Sequence, residues 1–491
     1  MARFTLLPLI FGNLALAVQP VEMRGSDFVV ASTGDRFQMI GVAYQPGGAS
    51  GFDPSSREDP LSDGDVCLRD AALMQRLGLN TIRVYNLDPS LNHDLCVSIF
   101  NNVGIYMVLD VNSPLDGESL SRSDPETTYT PDYLDRIFRI VEAFKNYPNL
   151  LAFVGGNEVI NDVPSSSTVP PYLRAVNRDL KDYIAKNANR AIPVGYSAAD
   201  VREILSDTWQ YLQCAIDGDS NDQSRADFFG LNSYSWCGDA TFESSGYDVL
   251  VDQFSNTTIP VFFSEYGCNE SPPRRFDEVQ AVYGPRMTPV LSGGLIYEYS
   301  QEPSNYGLVT INEDGSVRLR GDYDNLQRQY NKLNITLLES SNATATALKP
   351  PKCDASLITS EEFSADFNIP KIPRGGRQLI DNGVSKPNIG KLVPVTKTEV
   401  SQKVQGSNGK TISELAIKPL PDSESNTPSG EDTSDGDSGS TPSAATPSPT
   451  SGTTSSPAPT NTGAASSSKT TNGVLFLVWF TFVALELSRL F

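Results

Sequence analysis

The chain has 491 residues, 39% hydrophobic and 20% charged, with 38 Lys and Arg against 59 Asp and Glu for a formal net charge of −21. That acidity excludes nucleic acid as a partner, since nothing offsets phosphate repulsion. The single histidine, His93, excludes zinc sites built on several histidines, so carboxylates, tyrosines or thiols must carry any catalysis without metal or cofactor.

The first 17 residues read as a signal peptide. Arg3 is the basic end, residues 5–16 are apolar, and Ala15 and Ala17 frame a small-x-small cleavage site. From residue 27 to 353, short apolar runs alternate with longer amphipathic segments. Strands are predicted at 37–44, 80–85, 105–111, 151–155, 192–196, 228–234, 260–265 and 294–299. Helices are predicted at 65–77, 131–146 and 172–187. Pro131 and Asp132 suit a helix start, and Tyr133, Ile137, Ile140, Val141 and Phe144 fall on one face. Eight such units predict an α/β fold, a (β/α)8 TIM barrel over 18–355. A doubly wound open sheet is the runner-up, but no Gly-rich phosphate loop follows the first strand.

Residues 356–394, with apolar Phe363, Phe367, Ile369, Ile372, Leu379 and Ile380, are expected to pack on the barrel as an extension. From 395 to 463 the periodic apolar pattern is lost. That segment reads as a disordered Ser/Thr/Pro-rich stalk. The small residues Gly463, Ala464 and Ala465, a polar spacer and the apolar run 474–485 read as a lipid-anchor signal. Attachment is expected at Gly463, with Asn461 as competitor, and 464–491 as the removed propeptide. The run is shorter than the ~20 residues that span a bilayer. The expected location is the outer face of the plasma membrane and the cell wall, as a monomer.

The six cysteines, Cys67, Cys96, Cys214, Cys237, Cys268 and Cys353, are expected to form three disulfides, with about fifteen connectivities open. Asn256, Asn334 and Asn342 begin N-glycosylation sequons. A fourth, at Asn269, is followed closely by Pro272 and is a poor acceptor.

In a (β/α)8 barrel the active site lies at the C-terminal strand ends. Those ends carry Gln45, Arg83 and Tyr85, Asp110, Asn157 and Glu158, Ser197 and Asp200, Asn232 and Tyr234, Glu265, and Tyr297. Glu158 and Glu265 each follow an apolar strand, the fourth and the seventh. Two carboxyl groups without metal or histidine suit glycoside cleavage. One protonates the leaving oxygen. The other attacks the anomeric carbon, and retention needs them about 5–5.5 Å apart. Asn157 beside Glu158 suits a sugar 2-hydroxyl. Tyr234 would hold the nucleophile's charge, and Arg83 would lower the pKa of Glu265.

These residues resemble the fungal β-1,3-glucanosyltransferases of glycoside hydrolase family 72. The resemblance runs through Gly41-Val-Ala-Tyr-Gln-Pro-Gly47, Asn80-Thr-Ile-Arg-Val-Tyr85, Val154-Gly-Gly-Asn-Glu158 and Gly195-Tyr-Ser-Ala-Ala-Asp200. It continues through Asn232-Ser-Tyr-Ser-Trp-Cys237, Phe263-Ser-Glu-Tyr-Gly-Cys268 and Tyr297-Glu-Tyr-Ser-Gln-Glu302, leading to Tyr306-Gly307. It implies a (β/α)8 enzyme that cuts β-1,3-glucan internally and joins the new reducing end to another glucan. It implies Glu158 as acid/base and Glu265 as nucleophile. Gln45, Tyr85, Asp110, Asn157, Asp200, Tyr234 and Tyr297 are implied glucan contacts, with donor and acceptor glucans as partners. The implied disulfides are Cys67–Cys96, Cys214–Cys353 and Cys237–Cys268. Leu205 stands where many members carry arginine, with Arg202 nearby. No cysteine follows Cys353, which is similar to the subgroup without a cysteine-rich carbohydrate-binding module. A retaining endo-β-glucanase or mannanase, and a non-catalytic wall-binding protein, are the alternatives.

Overall fold

A computed structural model describes residues 18–48, 52–422 and 424–430. The expected signal peptide, the stalk beyond 430, Gly463 and the propeptide lie outside the described residues.

Eight strands close into a parallel barrel. They are β1 Met39–Ala43, β2 Thr81–Val84, β3 Tyr106–Asp110, β4 Leu150–Asn157, β5 Val194–Ala199, β6 Phe229–Ser233, β7 Val261–Tyr266 and β8 Gly293–Ile296. Each pairs with the next in sequence, and β8 closes on β1 with Gly293 opposite Met39. Every predicted strand has its counterpart. Their near-continuous apolar composition follows from burial on both faces, against helices outside and side-chain layers inside. The helix Pro131–Phe144 starts as its sequence dictates. The Thr130 hydroxyl accepts from the Tyr133 N–H, and Pro131 takes the first turn, where no donor is required. Helices Gly64–Leu77 and Pro170–Asn187 also match their predictions within two residues.

The barrel interior has two chemically distinct halves. Its N-terminal half is apolar. Met39, Tyr106, Val108, Val154, Phe228, Phe262 and Leu295 meet Val18, Val21, Phe28 and Phe37. The last four belong to or flank a hairpin, Val21–Arg24 with Asp27–Val30, that stoppers this end. The C-terminal half is polar.

Two β-bulges set that polarity at the critical places. In β4, Val154 pairs with Gly195 but Gly156 pairs with Tyr196, so Gly155 is an extra residue. In β7, Leu231 faces Phe263 but Asn232 faces Glu265, so Ser264 is extra. Strand alternation alone would turn Asn157 and Glu265 away from an interior that Val154 and Phe262 face. Each bulge shifts the phase by one and brings them in. A Cβ at Gly155 would stand 3.0 Å from Asn177 Oδ1, so a larger residue there would require the Asn177 side chain to shift.

All three implied disulfides are present: Cys67–Cys96, Cys214–Cys353 and Cys237–Cys268. Of the sequon asparagines, Asn256 and Asn334 are exposed and Asn342 is half-buried.

The boundary expected between extension and stalk at 394 is corrected. The extension packs as anticipated through Phe363, through Phe367 stacked on Tyr211 at 4.8 Å, and through the helix Gly376–Asn382. It does not stop there. Val404–Gln405 adds a parallel strand beside Val317–Leu319. Val404 and Ile417 are buried, the Leu420 N–H donates to Asn102 O (2.9 Å), and the Asn426 amide donates to Leu79 O (2.8 Å). This strap docks by backbone hydrogen bonds and isolated apolar anchors, which leave no period of 2 or 3.6 in the sequence. Among the described residues no helix is long and apolar enough to cross a membrane.

Candidate active site

The polar half of the barrel is organised around one guanidinium. Arg83 stands on β2 beyond the inward-facing Thr81 and is fully buried. Its Nε and Nη2 donate to Asp110 on β3 at 3.0 and 2.9 Å, a bidentate pair. Nη2 also donates to Asn157 Oδ1 (2.9 Å) at the end of β4. Nη1 donates to Ser197 Oγ on β5 (3.1 Å) and to Ser264 O on β7 (3.3 Å), and reaches Glu265 Oε1 at 3.4 Å. Burial alone would lower the Arg83 pKa. The charges of Asp110 and Glu265, with the hydrogen bonds to Asp110, outweigh it and hold the group above its usual range.

Glu265 is 9% exposed and surrounded by donors. The Tyr85 hydroxyl donates to Oε1 at 3.0 Å and the Tyr234 hydroxyl to Oε2 at 2.7 Å. These bonds and Arg83 favour the carboxylate. Burial acts in the opposite direction and is the largest effect, and the Glu158 charge adds to it. The pKa is raised from 4.5 to about 7. The expectation that Arg83 lowers this pKa holds as a direction, but burial outweighs it.

Glu158 directly follows β4 with φ +47°, in the left-handed region that costs a non-glycine residue of order 1 kcal/mol. Two backbone bonds hold it there. Its N–H donates to Ser197 O (2.8 Å), and its carbonyl accepts from Arg122 Nε (3.0 Å). Its side chain accepts from Asn232 Nδ2 at 2.9 Å, and the same amide reaches Asn157 Oδ1 at 3.2 Å. Asn232 Oδ1 in turn accepts from Ser197 Oγ (3.0 Å) and Ser264 Oγ (2.8 Å). One network therefore connects both glutamates.

The remaining expected residues take graded positions. Tyr85, Asp110, Asn157 and Tyr234 belong to the network. Gln45 supports it from the loop just after β1, its Oε1 accepting from the N–H groups of Tyr85 (3.3 Å) and Asn86 (3.1 Å). Tyr297 joins through a cluster of rings with Tyr234 (6.3 Å) and Tyr306 (5.3 Å). Asp200 stands apart from the carboxyl pair. It accepts from Ser233 Oγ at 2.7 Å and pairs with Arg202 at 2.5 Å. Leu205 is buried at the start of the helix Leu205–Gln213, so Arg202 is the arginine beside Asp200.

Three residues gained importance beyond their place in the sequence. Asn232 and Ser197 read there only as polar strand ends, yet they bridge the two glutamates. Tyr306 closes a motif without an assigned role, and it packs 5.6 Å from Tyr234 as well as beside Tyr297. A tyrosine nine residues after another carries no periodic signal, so only the fold brings these rings together.

Comparison with known proteins agrees with this arrangement. Residues 11–334 match the glucanosyltransferase family model of glycoside hydrolase family 72. The chain is 58% identical over 414 residues to 1,3-beta-glucanosyltransferase gel2 of Aspergillus fumigatus, covering 84% of this chain and 86% of that protein. It is 45% identical over 421 residues to the probable 1,3-beta-glucanosyltransferase GAS3 of Saccharomyces cerevisiae, covering 82% and 80%. The solved structure of Saccharomyces cerevisiae Gas2p in complex with laminaritriose and laminaritetraose is similar at TM-score 0.64 and 34% identity, over 72% of this chain and 77% of that one.

Proposed function

The chain belongs to the glycoside hydrolase family 72 glucanosyltransferases, and we propose that it cuts β-1,3-glucan internally and transfers the new reducing end to the non-reducing end of another glucan. The observation that carries the residue assignment is the single hydrogen-bond network joining Glu158 and Glu265 at the ends of β4 and β7.

Glu265 is the nucleophile. Its carboxylate oxygen attacks the anomeric carbon while the bond to the leaving glucan breaks. Glu158, as the acid, gives its proton to the leaving oxygen. In the second half a hydroxyl of the acceptor glucan enters. Glu158, now a carboxylate, takes that hydroxyl's proton, and the oxygen displaces Glu265. Two inversions give retention. Tyr85 and Tyr234 donate to Glu265 and spread its charge (3.0 and 2.7 Å). Asn157, fixed by Arg83, presents its amide beside the sugar. The Tyr234, Tyr297 and Tyr306 rings offer faces for sugar packing. Asp200, at the rim, suits a more distant sugar unit.

Transfer must outcompete water for the glycosyl ester, which calls for an acceptor groove that holds a sugar hydroxyl in place. The deciding experiment follows product lengths from reduced β-1,3-glucan oligosaccharides. Products longer than the substrate support transfer. Only shorter products mean a hydrolase, and unchanged substrate means a binding protein. Export to the cell wall and a lipid anchor at Gly463 belong to the same proposal, supported by the sequence pattern.

A further inference from the structure

At the N-terminal end of the barrel, opposite the catalytic rim, lies a cleft of about 300 Å3. Its floor carries Gln38, just before β1. This side chain is 4% exposed, and neither its Oε1 nor its Nε2 has a hydrogen-bond partner within the protein. Its obvious neighbour is already committed. Asn80 Nδ2 donates to the Gln38 backbone carbonyl (2.9 Å), and Asn80 Oδ1 accepts from the Ile40 N–H and the Thr81 hydroxyl, both at 2.8 Å. A buried amide left without partners costs roughly 1–3 kcal/mol per group. Such a group in a native protein calls for a partner from outside the chain, water or a ligand.

The surroundings define the ligand. Exposed carboxylates of Asp35, Glu339 and Glu424 border the cleft. The one arginine on the lining, Arg36, is committed to Asp27 (3.4 Å) and to the Thr288 carbonyl, so the three carboxylates make the cleft unfavourable for anions. They do not gather into a cation site, because among the described residues the only converging set of metal-type ligands is Cys237, Cys268 and Glu270, whose cysteines form a disulfide. Hydroxyl donors suit those carboxylates, and the aliphatic walls (Val30, Ile335 and Leu338) suit a C–H face. A carboxamide offers one donor and one acceptor side by side, which matches two adjacent ring hydroxyls.

We propose that this cleft binds one neutral pyranose unit through the Gln38 carboxamide. The site is separate from the carboxyl pair and independent of its assigned chemistry. The sugar has two possible sources, the end of an external glucan or the chain's own N-linked glycan. The sequon residue Asn334 is exposed and immediately precedes Ile335 of the cleft wall.

The test titrates a β-1,3-linked glucose hexamer by calorimetry into the full chain carrying Glu265→Gln, so that no sugar is consumed. Two preparations are compared, one with Asn334 and one with Asn334→Gln. A binding event in at least one of them is expected to weaken about tenfold or more in Gln38→Met, with loss of the paired hydrogen bonds. If that event appears in both preparations, external glucan is the source. If it appears only with Asn334→Gln, the attached glycan fills the cleft. Gln38→Met is also expected to raise the melting temperature, because the unpaired amide is gone. Glu424→Ala, on the exposed border, is expected to weaken the same event and guards against a folding defect at position 38. The proposal is overturned if no binding event in either preparation responds to Gln38→Met or Glu424→Ala. It is also overturned if calcium chloride, rather than sugar, raises the melting temperature in a Glu424-dependent way.

Discussion

Replacing Glu265 by glutamine should make the protein more stable, and increasingly so as pH rises. The wild-type carboxyl has a pKa of about 7 in the fold against 4.5 ordinarily, chiefly because it is buried. A raised carboxyl pKa means that the folded state binds the proton more tightly than the unfolded state. Its stabilising contribution is complete below pH 4.5 and is lost as pH rises through 7. At about 1.4 kcal/mol per pH unit, the interval 7 − 4.5 corresponds to about 3 kcal/mol. Glutamine has the same shape and no such titration. It also offers one acceptor where the carboxylate offers two, to the Tyr85 and Tyr234 hydroxyls, but that cost does not vary with pH. Glu278, Glu298 and Glu302 also have raised pKa values, near 7, 8 and 7 chiefly through burial, and both proteins contain them; the Glu265 charge is the last of the effects on Glu298, so only that small part fails to cancel. The assay is urea unfolding of both proteins from pH 4.5 to 8.5. The stability difference, variant minus wild type, should grow by about 3 kcal/mol across that range. A difference that stays flat with pH would refute the reasoning, since Glu265 would then not be held against its own ionisation.

Three other outcomes follow from the same site and its scaffold. Arg83→Met leaves Asp110 and Glu265 buried without their cation. It should cost about 3–5 kcal/mol in chemical denaturation, and a loss under 1 kcal/mol would contradict the hub role. Tyr234→Phe removes the 2.7 Å bond to Glu265, a bond that lowers its pKa. The acid limb of the pH–rate profile should move to higher pH, with kcat/KM down about tenfold, and an unmoved limb argues against a nucleophile at 265. Ending the chain after residue 394 removes Val404 and Ile417 from the core. Thermal unfolding should show a loss of about 3–6 kcal/mol, whereas an unchanged melting temperature would restore the stalk boundary at 394.

The legible part of this protein is what composition and alternation encode. Eight apolar runs give eight strands, because parallel barrel strands are buried on both faces and need no alternation. Glu158 and Glu265 stood out because a charge ending an apolar run is costly without a use. The bulges at Gly155 and Ser264 were not legible. A one-residue phase shift changes no residue type, yet it decides whether Asn157 and Glu265 face the interior. The direction of the Glu265 pKa was half legible. The neighbouring Arg83 follows from strand order, but the depth of burial that outweighs it is a property of the closed barrel. The strap from 395 onward was hidden for a related reason, since backbone hydrogen bonds such as Leu420 to Asn102 carry no side-chain signature.

Arg83 touches side chains or backbone from β3, β4, β5 and β7 while rooted in β2. Groups that share one partner do not respond independently. The first substitution among Asp110, Asn157, Ser197 or Arg83 itself should therefore do most of the damage, and a second should add little. Alanine values measured one at a time would sum to more than the whole network is worth. Only paired substitutions can apportion it. A stepwise redesign of this floor faces a related obstacle, because each single change is harmful until its neighbours have changed as well.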